Sequence, residues 1–86
     1  IGFTKAVARE VGNYGITVNA VVPGLTRTPT IEQFMADRYK KKIIDETPLG
    51  RIGEPHEIAK VVAFLASDDA SFITSTALPV SGGWGI

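Results

Sequence analysis

The stretch Gly15-Ile16-Thr17-Val18-Asn19-Ala20-Val21-Val22-Pro23-Gly24-Leu25-Thr26-Arg27-Thr28-Pro29 decides how the chain is read. Ile16, Val18, Ala20, Val21 and Val22 form a mostly apolar, partly β-branched run, which suits a strand over 16–22 buried on both faces. Pro23 has no N–H to give to a ladder, so the strand is expected to stop there. Gly24 then frees the backbone to turn. Thr26, Arg27 and Thr28 follow, all polar. In an open α/β sheet, ligands bind just outside the carboxyl ends of the strands. A buried strand that ends in Pro-Gly and then offers hydroxyls is either such a ligand edge or a strand followed by an ordinary turn.

Bulk properties limit the function classes. The 86 residues suffice for one small domain, and 44% hydrophobic content excludes a disordered chain. Nine basic residues balance nine acidic ones, so the formal charge is zero. That argues against the electrostatic footprint of a nucleic-acid binder and against a basic membrane anchor. There is no cysteine, hence no disulfide and no thiolate chemistry, which fits a reducing compartment and a cytoplasmic location. No apolar run approaches the length of a membrane span, and no signal peptide is read.

Upstream of the deciding stretch, residues 1–12 read as a helix. Phe3, Val7 and Val11 recur every four residues, with Lys5, Arg9 and Glu10 on the other side. Gly12-Asn13 supplies a stop, and Gly15 adds a second turn signal. The chain begins Ile1-Gly2-Phe3 without a capping residue, so this helix is expected to be cut into rather than begun.

Downstream, Thr30 with Gln33 matches a capping box, and Ile31, Phe34 and Met35 form a short apolar stripe. The spacing predicts one helix over 31–45. It reads either as a movable lid over the ligand edge or as a solvated surface helix, with Lys40-Lys41-Lys42 as a solvated face. Thr47 to Pro55 is dense in Pro and Gly and reads as a loop. Pro55 suits the first position of a helix over 55–66, and Glu54 and Glu57 place negative charge at its positive end. Ile58, Val61, Val62 and Leu65 share one face, which Ala59, Ala63, Phe64 and Ala66 widen into a well-buried helix. Residues 76–80 read as a short strand that Pro79 makes an edge strand or a poorly paired one. Two strands joined through helices imply a parallel pair. Ser81 to Ile86 reads as a glycine-rich end anchored by Trp84.

Most recognised chemistry is missing. His56 is the only histidine and reads as a surface residue. Asp68-Asp69 reads as a helix-end turn rather than a metal site, and no metal ligands are assigned. There is no G-x-G-x-x-G after a strand, no Walker pattern and no nucleophile elbow.

Taken together, five segments resemble the C-terminal part of a classical short-chain dehydrogenase/reductase. They are Phe3–Glu10, Tyr14–Gly24, Pro48–Pro55, Phe64–Asp68 and Val80–Trp84, in the right order along essentially the whole chain. The nearest subgroup in pattern contains the 3-oxoacyl-carrier-protein reductases.

The resemblance implies an α/β fold, the C-terminal portion of a Rossmann-type doubly wound parallel sheet, with 16–22 and 76–81 as its last two strands. It implies NAD or NADP as cofactor and a small carbonyl or alcohol as substrate. The cofactor edge would be Pro23, Gly24, Leu25, Thr26 and Thr28. The Pro23-Gly24 loop would pass the nicotinamide end, Thr26 would offer backbone groups to the carboxamide, and the Thr28 hydroxyl would bind carboxamide or pyrophosphate. Residues 29–48 would be the substrate lid, with Ile31, Phe34 and Met35 facing the substrate. Helix 1–12 and the final strand would serve a homo-oligomer. The whole of residues 1–86 would belong to a single domain.

The family's Gly-rich turn, catalytic serine and Tyr-x-x-x-Lys pair match nothing here and are expected upstream of Ile1. No catalytic residue is therefore assigned within this stretch, which alone is expected to be inactive. Ser81 stands where the family has aspartate, and Ser75 where glycine is usual, so the turn into the last strand is expected to differ. A non-catalytic assembly module built from the same fold is the alternative to the oxidoreductase.

Overall fold

The computed structural model describes residues 2–85. Its centre is a parallel pair of strands, β1 (Ala20–Pro23) and β2 (Ala77–Val80). The register sets Ala20 against Ala77 and Pro23 against Val80. Helices α1 (Gly2–Val11), α2 (Pro29–Phe34), α3 (Asp37–Glu46) and α4 (Pro55–Leu65) lie around them in chain order α1, β1, α2, α3, α4, β2. This is the α/β arrangement expected from the sequence. The molecule is elongated, 48 × 23 × 22 Å.

The first strand is shorter than 16–22, because a strand needs a partner and β2 begins only at Ala77. Ahead of it, side chains replace the ladder. The Val18 N–H donates to Thr74 Oγ1 (3.0 Å), and the Ser75 N–H donates to the Val18 carbonyl (2.8 Å). Asn19 does both jobs of a peptide unit. Its amide nitrogen donates to the Ile73 carbonyl, and its oxygen accepts from the Thr76 N–H (3.0 Å). Pro23 is the last paired residue, and the Gly24 N–H extends the pattern by donating to the Val80 carbonyl (3.0 Å).

The first helix ends at Val11, runs into a 3₁₀ turn over Gly12–Tyr14, and is closed by Gly15 at φ 72°. The left-handed stop is therefore Gly15 and not Gly12. Ile1, the start of the expected helix 1–12, lies outside the described residues.

The expected helix 31–45 is two helices. Met35 and Ala36 are extended, at ψ 127° and 142°, and separate α2 from α3. The start also differs. Thr28, not Thr30, caps α2: its Oγ1 accepts from the Ile31 N–H (3.2 Å), and Pro29 takes the first helical position. The lysine run is not uniformly solvated. The Lys40 side chain is only 16% exposed, 3.9 Å from carboxylate oxygens of Glu32 and Asp37. Lys41 faces water and pairs with Asp45 one turn on (3.0 Å).

Helix α4 starts where Pro55 predicts. The Glu54 N–H donates to the Glu57 carboxylate (2.9 Å), satisfying an otherwise orphaned amide. The helix packs on β1. None of its residues is fully buried, however, and Val62 and Phe64 remain 49% and 45% exposed. The expectation of a well-buried helix is not met among the described residues, since two short strands offer too little surface to cover so wide an apolar face. Among the described residues the buried apolar ones are Ala8, Ile52 and Ala70. Among the described residues no helix is long and apolar enough to cross a membrane.

Candidate functional site

The carboxyl end of β1 lies beside two other chain segments. Gly53 and Thr26 form a short parallel bridge: the Arg27 N–H donates to the Gly53 carbonyl (2.8 Å), and the Gly53 N–H donates to the Leu25 carbonyl (2.9 Å). A parallel bridge of this kind uses the peptide groups on either side of Thr26. The N–H and C=O of Thr26 itself are left without a protein partner among the described residues. The Thr26 hydroxyl donates to the Gly24 carbonyl (3.1 Å), which fixes the turn between them.

Thr28 stands next. Its Oγ1 accepts from the first turn of α2, so its own hydroxyl proton remains to be donated elsewhere. Within three residues, a free peptide donor, a free peptide acceptor and a free hydroxyl donor therefore border the end of a strand. Pro23 and Gly24 lead into this edge, and Leu25 ties it to Gly53.

Ile31, Phe34 and Met35 follow on α2 and its end. Ile31 and Met35 are half-buried, whereas Phe34 is 75% exposed. The segment after α3 is anchored at Thr47, which is buried and donates its hydroxyl to the Ile43 carbonyl (2.6 Å).

A cavity of about 140 Å³ opens nearby, between Leu25, Leu49, Arg51, Glu57, Ile58 and Ser81. It takes in only Leu25 of the five edge residues. It is also well below the roughly 300–1,000 Å³ of small-molecule pockets. The edge and the cavity are thus separate features. Ser81 Oγ, on the cavity wall, is buried without a hydrogen-bond partner among the described residues.

Charge gathers around the edge in a way the sequence does not announce. The Arg27 Nε donates to Glu54 Oε1 (2.9 Å), and its Nη1 pairs with Glu32 Oε1. Arg51 grips Glu57 with two nitrogens (2.7 and 2.8 Å). Arg51 and the Glu54 backbone N–H hold the Glu57 carboxyl down to about 2. Glu54 and then Glu32 push the Arg27 guanidinium above its ordinary value. His56 is exposed. Among the described residues, no three His, Cys, Asp or Glu side chains gather as metal ligands.

A parallel pair with helical connections and a Pro-Gly turn at its carboxyl end matches part of a Rossmann-type α/β fold. Comparison with known proteins agrees. The family model described as enoyl-(acyl carrier protein) reductase matches residues 1–85. The chain is 52% identical over 83 residues to the 3-oxoacyl-[acyl-carrier-protein] reductase FabG of Haemophilus influenzae, covering 96% of this chain and 34% of that protein. It superposes with a TM-score of 0.95 on a crystal structure of a 3-oxoacyl-[acyl-carrier protein] reductase from Brucella melitensis, at 39% identity, covering 99% of this chain and 31% of the other. A second Brucella melitensis structure of such a reductase, with bound NAD, gives 0.89 at 38% identity over 99% of this chain and 30% of that one.

The chain belongs to the short-chain dehydrogenase/reductase family, in the branch that this family model describes. It spans about a third of the length of the curated relatives it matches.

Proposed function

We propose that this chain supplies the nicotinamide edge and the substrate lid of an NAD(P)-dependent oxidoreductase acting on a carbonyl or alcohol. The observation that carries the reading is the unused hydrogen-bonding capacity at Thr26 and Thr28. A nicotinamide carboxamide has one carbonyl acceptor and one NH₂ donor. The Thr26 N–H and C=O complement both, and the Thr28 hydroxyl supplies a further donor. The residues present therefore fit the group. When bound, NAD or NADP supplies the hydride chemistry; the protein's part is to orient the ring and exclude water.

Residues 29–48 form the lid in this reading. The extended pair Met35-Ala36 gives it a joint, and Thr47 fixes its far end. Segments with little buried surface open at low cost, as a lid requires, and α2 has no buried residue. Phe34, the last residue of α2 and 75% exposed, is the lid's most exposed large apolar side chain and is available to an apolar substrate. The relatives' names support a 3-oxoacyl thioester as the carbonyl substrate. No Tyr-x-x-x-Lys pair for proton transfer occurs within residues 1–86. Phe3 on α1 and Phe72 before β2 are 81% and 102% exposed and suit contacts with the rest of a homo-oligomeric enzyme.

Titration of NADH and NADPH into the complete protein and its Thr28→Val and Thr28→Ser variants tests this reading. Loss of one neutral hydrogen bond, about 0.5–1.5 kcal/mol, weakens cofactor binding about 2- to 10-fold in the valine variant. The serine variant keeps both cap and hydroxyl and binds like wild type. Equal dissociation constants in all three remove Thr28 from the site.

A further inference from the structure

We propose that Arg27 is a positioning residue: it latches the lid helix α2, and with it the cofactor edge, against the start of α4. The inference rests on the cofactor-edge reading above for its functional consequence, but its structural content stands on the geometry of Arg27 alone.

Arg27 joins three segments. Its backbone N–H donates to the Gly53 carbonyl (2.8 Å), so its position follows the loop that precedes α4. Its side chain forks. Nε reaches Glu54, the N-cap of α4, at 2.9 Å, and Nη1 reaches Glu32 in the first turn of α2. Glu54 is fixed from its other side, because its N–H donates to Glu57 and Glu57 is gripped by Arg51. Lys40 of α3 also approaches Glu32, at 3.9 Å. The result is a continuous polar path from the lid to α4 that runs through one guanidinium.

Little else holds α2. It has six residues, none of them buried, and Phe34 near its end is 75% exposed. Apolar packing is too slight to fix its place, so this network has unusual leverage. Single exposed ion pairs contribute little, but here one planar cation separates two carboxylates. Removing it does more than delete two attractions: it leaves Glu32 and Glu54 facing each other with like charge. The flanking residues make the placement consequential. Thr26 and Thr28 sit on either side of Arg27, and Thr28 caps the same helix that Arg27 ties down.

The test uses the complete protein with Arg27→Ala, Arg27→Lys and wild type. Amide hydrogen exchange at Ile31 to Met35 is read at low and at about 1 M salt, where charge interactions are screened within about 3 Å. Steady-state constants are measured beside it. In Arg27→Ala, exchange in this segment rises about fivefold at low salt, the KM for the carbonyl substrate rises several-fold, and kcat changes less. Arg27→Lys retains a cation without the fork and falls between. High salt raises exchange in wild type toward the level of the alanine variant, whereas in that variant it screens the Glu32–Glu54 repulsion and does not raise exchange further. Equal exchange in wild type and Arg27→Ala, or an equal salt response in both, overturns the latch. If the protein turns over no nicotinamide cofactor, the oxidoreductase reading falls, and the exchange data still decide the latch. If exchange changes as expected but KM does not, Arg27 orders α2 without positioning the lid for catalysis, and the proposal fails in its functional half.

Discussion

A Cβ built on Gly24 stands 2.8 Å from the Cα of Ser81, closer than real side chains approach backbone atoms. This contact, and not a left-handed turn, is what requires glycine after Pro23, since Gly24 is not among the positive-φ residues. It draws the carboxyl ends of β1 and β2 together and so sets where the proposed cofactor edge begins. Alanine at position 24 has to push two backbone segments apart. Overpacking of this kind costs about 1–3 kcal/mol. Gly24→Ala in the complete protein is expected to lower Tm and weaken cofactor binding together. An unchanged melt contradicts the close packing.

Ser75 takes φ 63°, the left-handed region, at the turn into β2, and is the one non-glycine residue to do so among those described. Serine here holds a backbone geometry that glycine adopts more readily. Left-handed backbone costs an ordinary residue about 1–2 kcal/mol, and glycine returns about 0.4–1 of that through the flexibility of the unfolded chain. Ser75→Gly should therefore raise stability by about 0.5 kcal/mol. Ser75→Val should lower it, because a β-branched residue fits this region worst. Chemical denaturation of the three proteins checks the order Gly, Ser, Val. Valine at or above serine would sink the argument.

Much of this architecture is legible in the sequence because it is written as punctuation. Pro23, Gly24 and Pro55 mark where a strand ends and a helix begins, and the structure keeps those boundaries within a residue or two. What is not legible depends on partners. Ile16 to Asn19 have strand composition, yet the ladder leaves them out because β2 is short. The capping-box pattern points to Thr30, whereas Thr28 is the cap, and Pro29 beside it is the signal that the pattern passes over. No glycine or proline marks the break at Met35-Ala36, so the apolar stripe reads as one helix. Arg27 gives no local sign at all. Glu54 lies 27 residues away, and only the bridge between Thr26 and Gly53 brings it within reach. The same bridge creates the free peptide group at Thr26, which composition and periodicity do not reveal.

The start of α4 should be acid-sensitive. Arg51, first, and the Glu54 N–H hold the folded Glu57 carboxyl at about 2, below its ordinary value of 4.5. A depressed carboxyl contributes its stabilisation fully above the unfolded value and loses it as pH falls toward the folded one. The contribution should therefore be intact above about pH 4.5 and fade between there and about pH 2. NMR titration of the Glu57 side chain reads this directly. A midpoint in the ordinary carboxylate range means that the Arg51 grip does not persist in solution.

Residues 1–86 alone are expected to be inactive and poorly folded when monomeric. A two-stranded sheet is rarely stable by itself, and α4 keeps Val62 and Phe64 about half exposed. Each such side chain left uncovered forgoes part of the roughly 1.5–3 kcal/mol of full burial, against a typical domain stability of about 5–15 kcal/mol. A thermal melt and an NAD(P)H oxidation assay with a carbonyl panel decide the matter. A cooperative monomer melt refutes the first half, and turnover above a buffer blank refutes the second.

The proposed role of the Thr26 peptide group and the Thr28 hydroxyl is to receive the nicotinamide end of the cofactor. Amide NMR shifts of the complete protein, followed during titration with NADH, NADPH and ADP-ribose, test it most directly. ADP-ribose lacks the nicotinamide. The Thr26 amide is expected to shift with at least one intact cofactor and to stay in place with saturating ADP-ribose. A Thr26 amide unmoved by both intact cofactors, or moved equally by ADP-ribose, contradicts it.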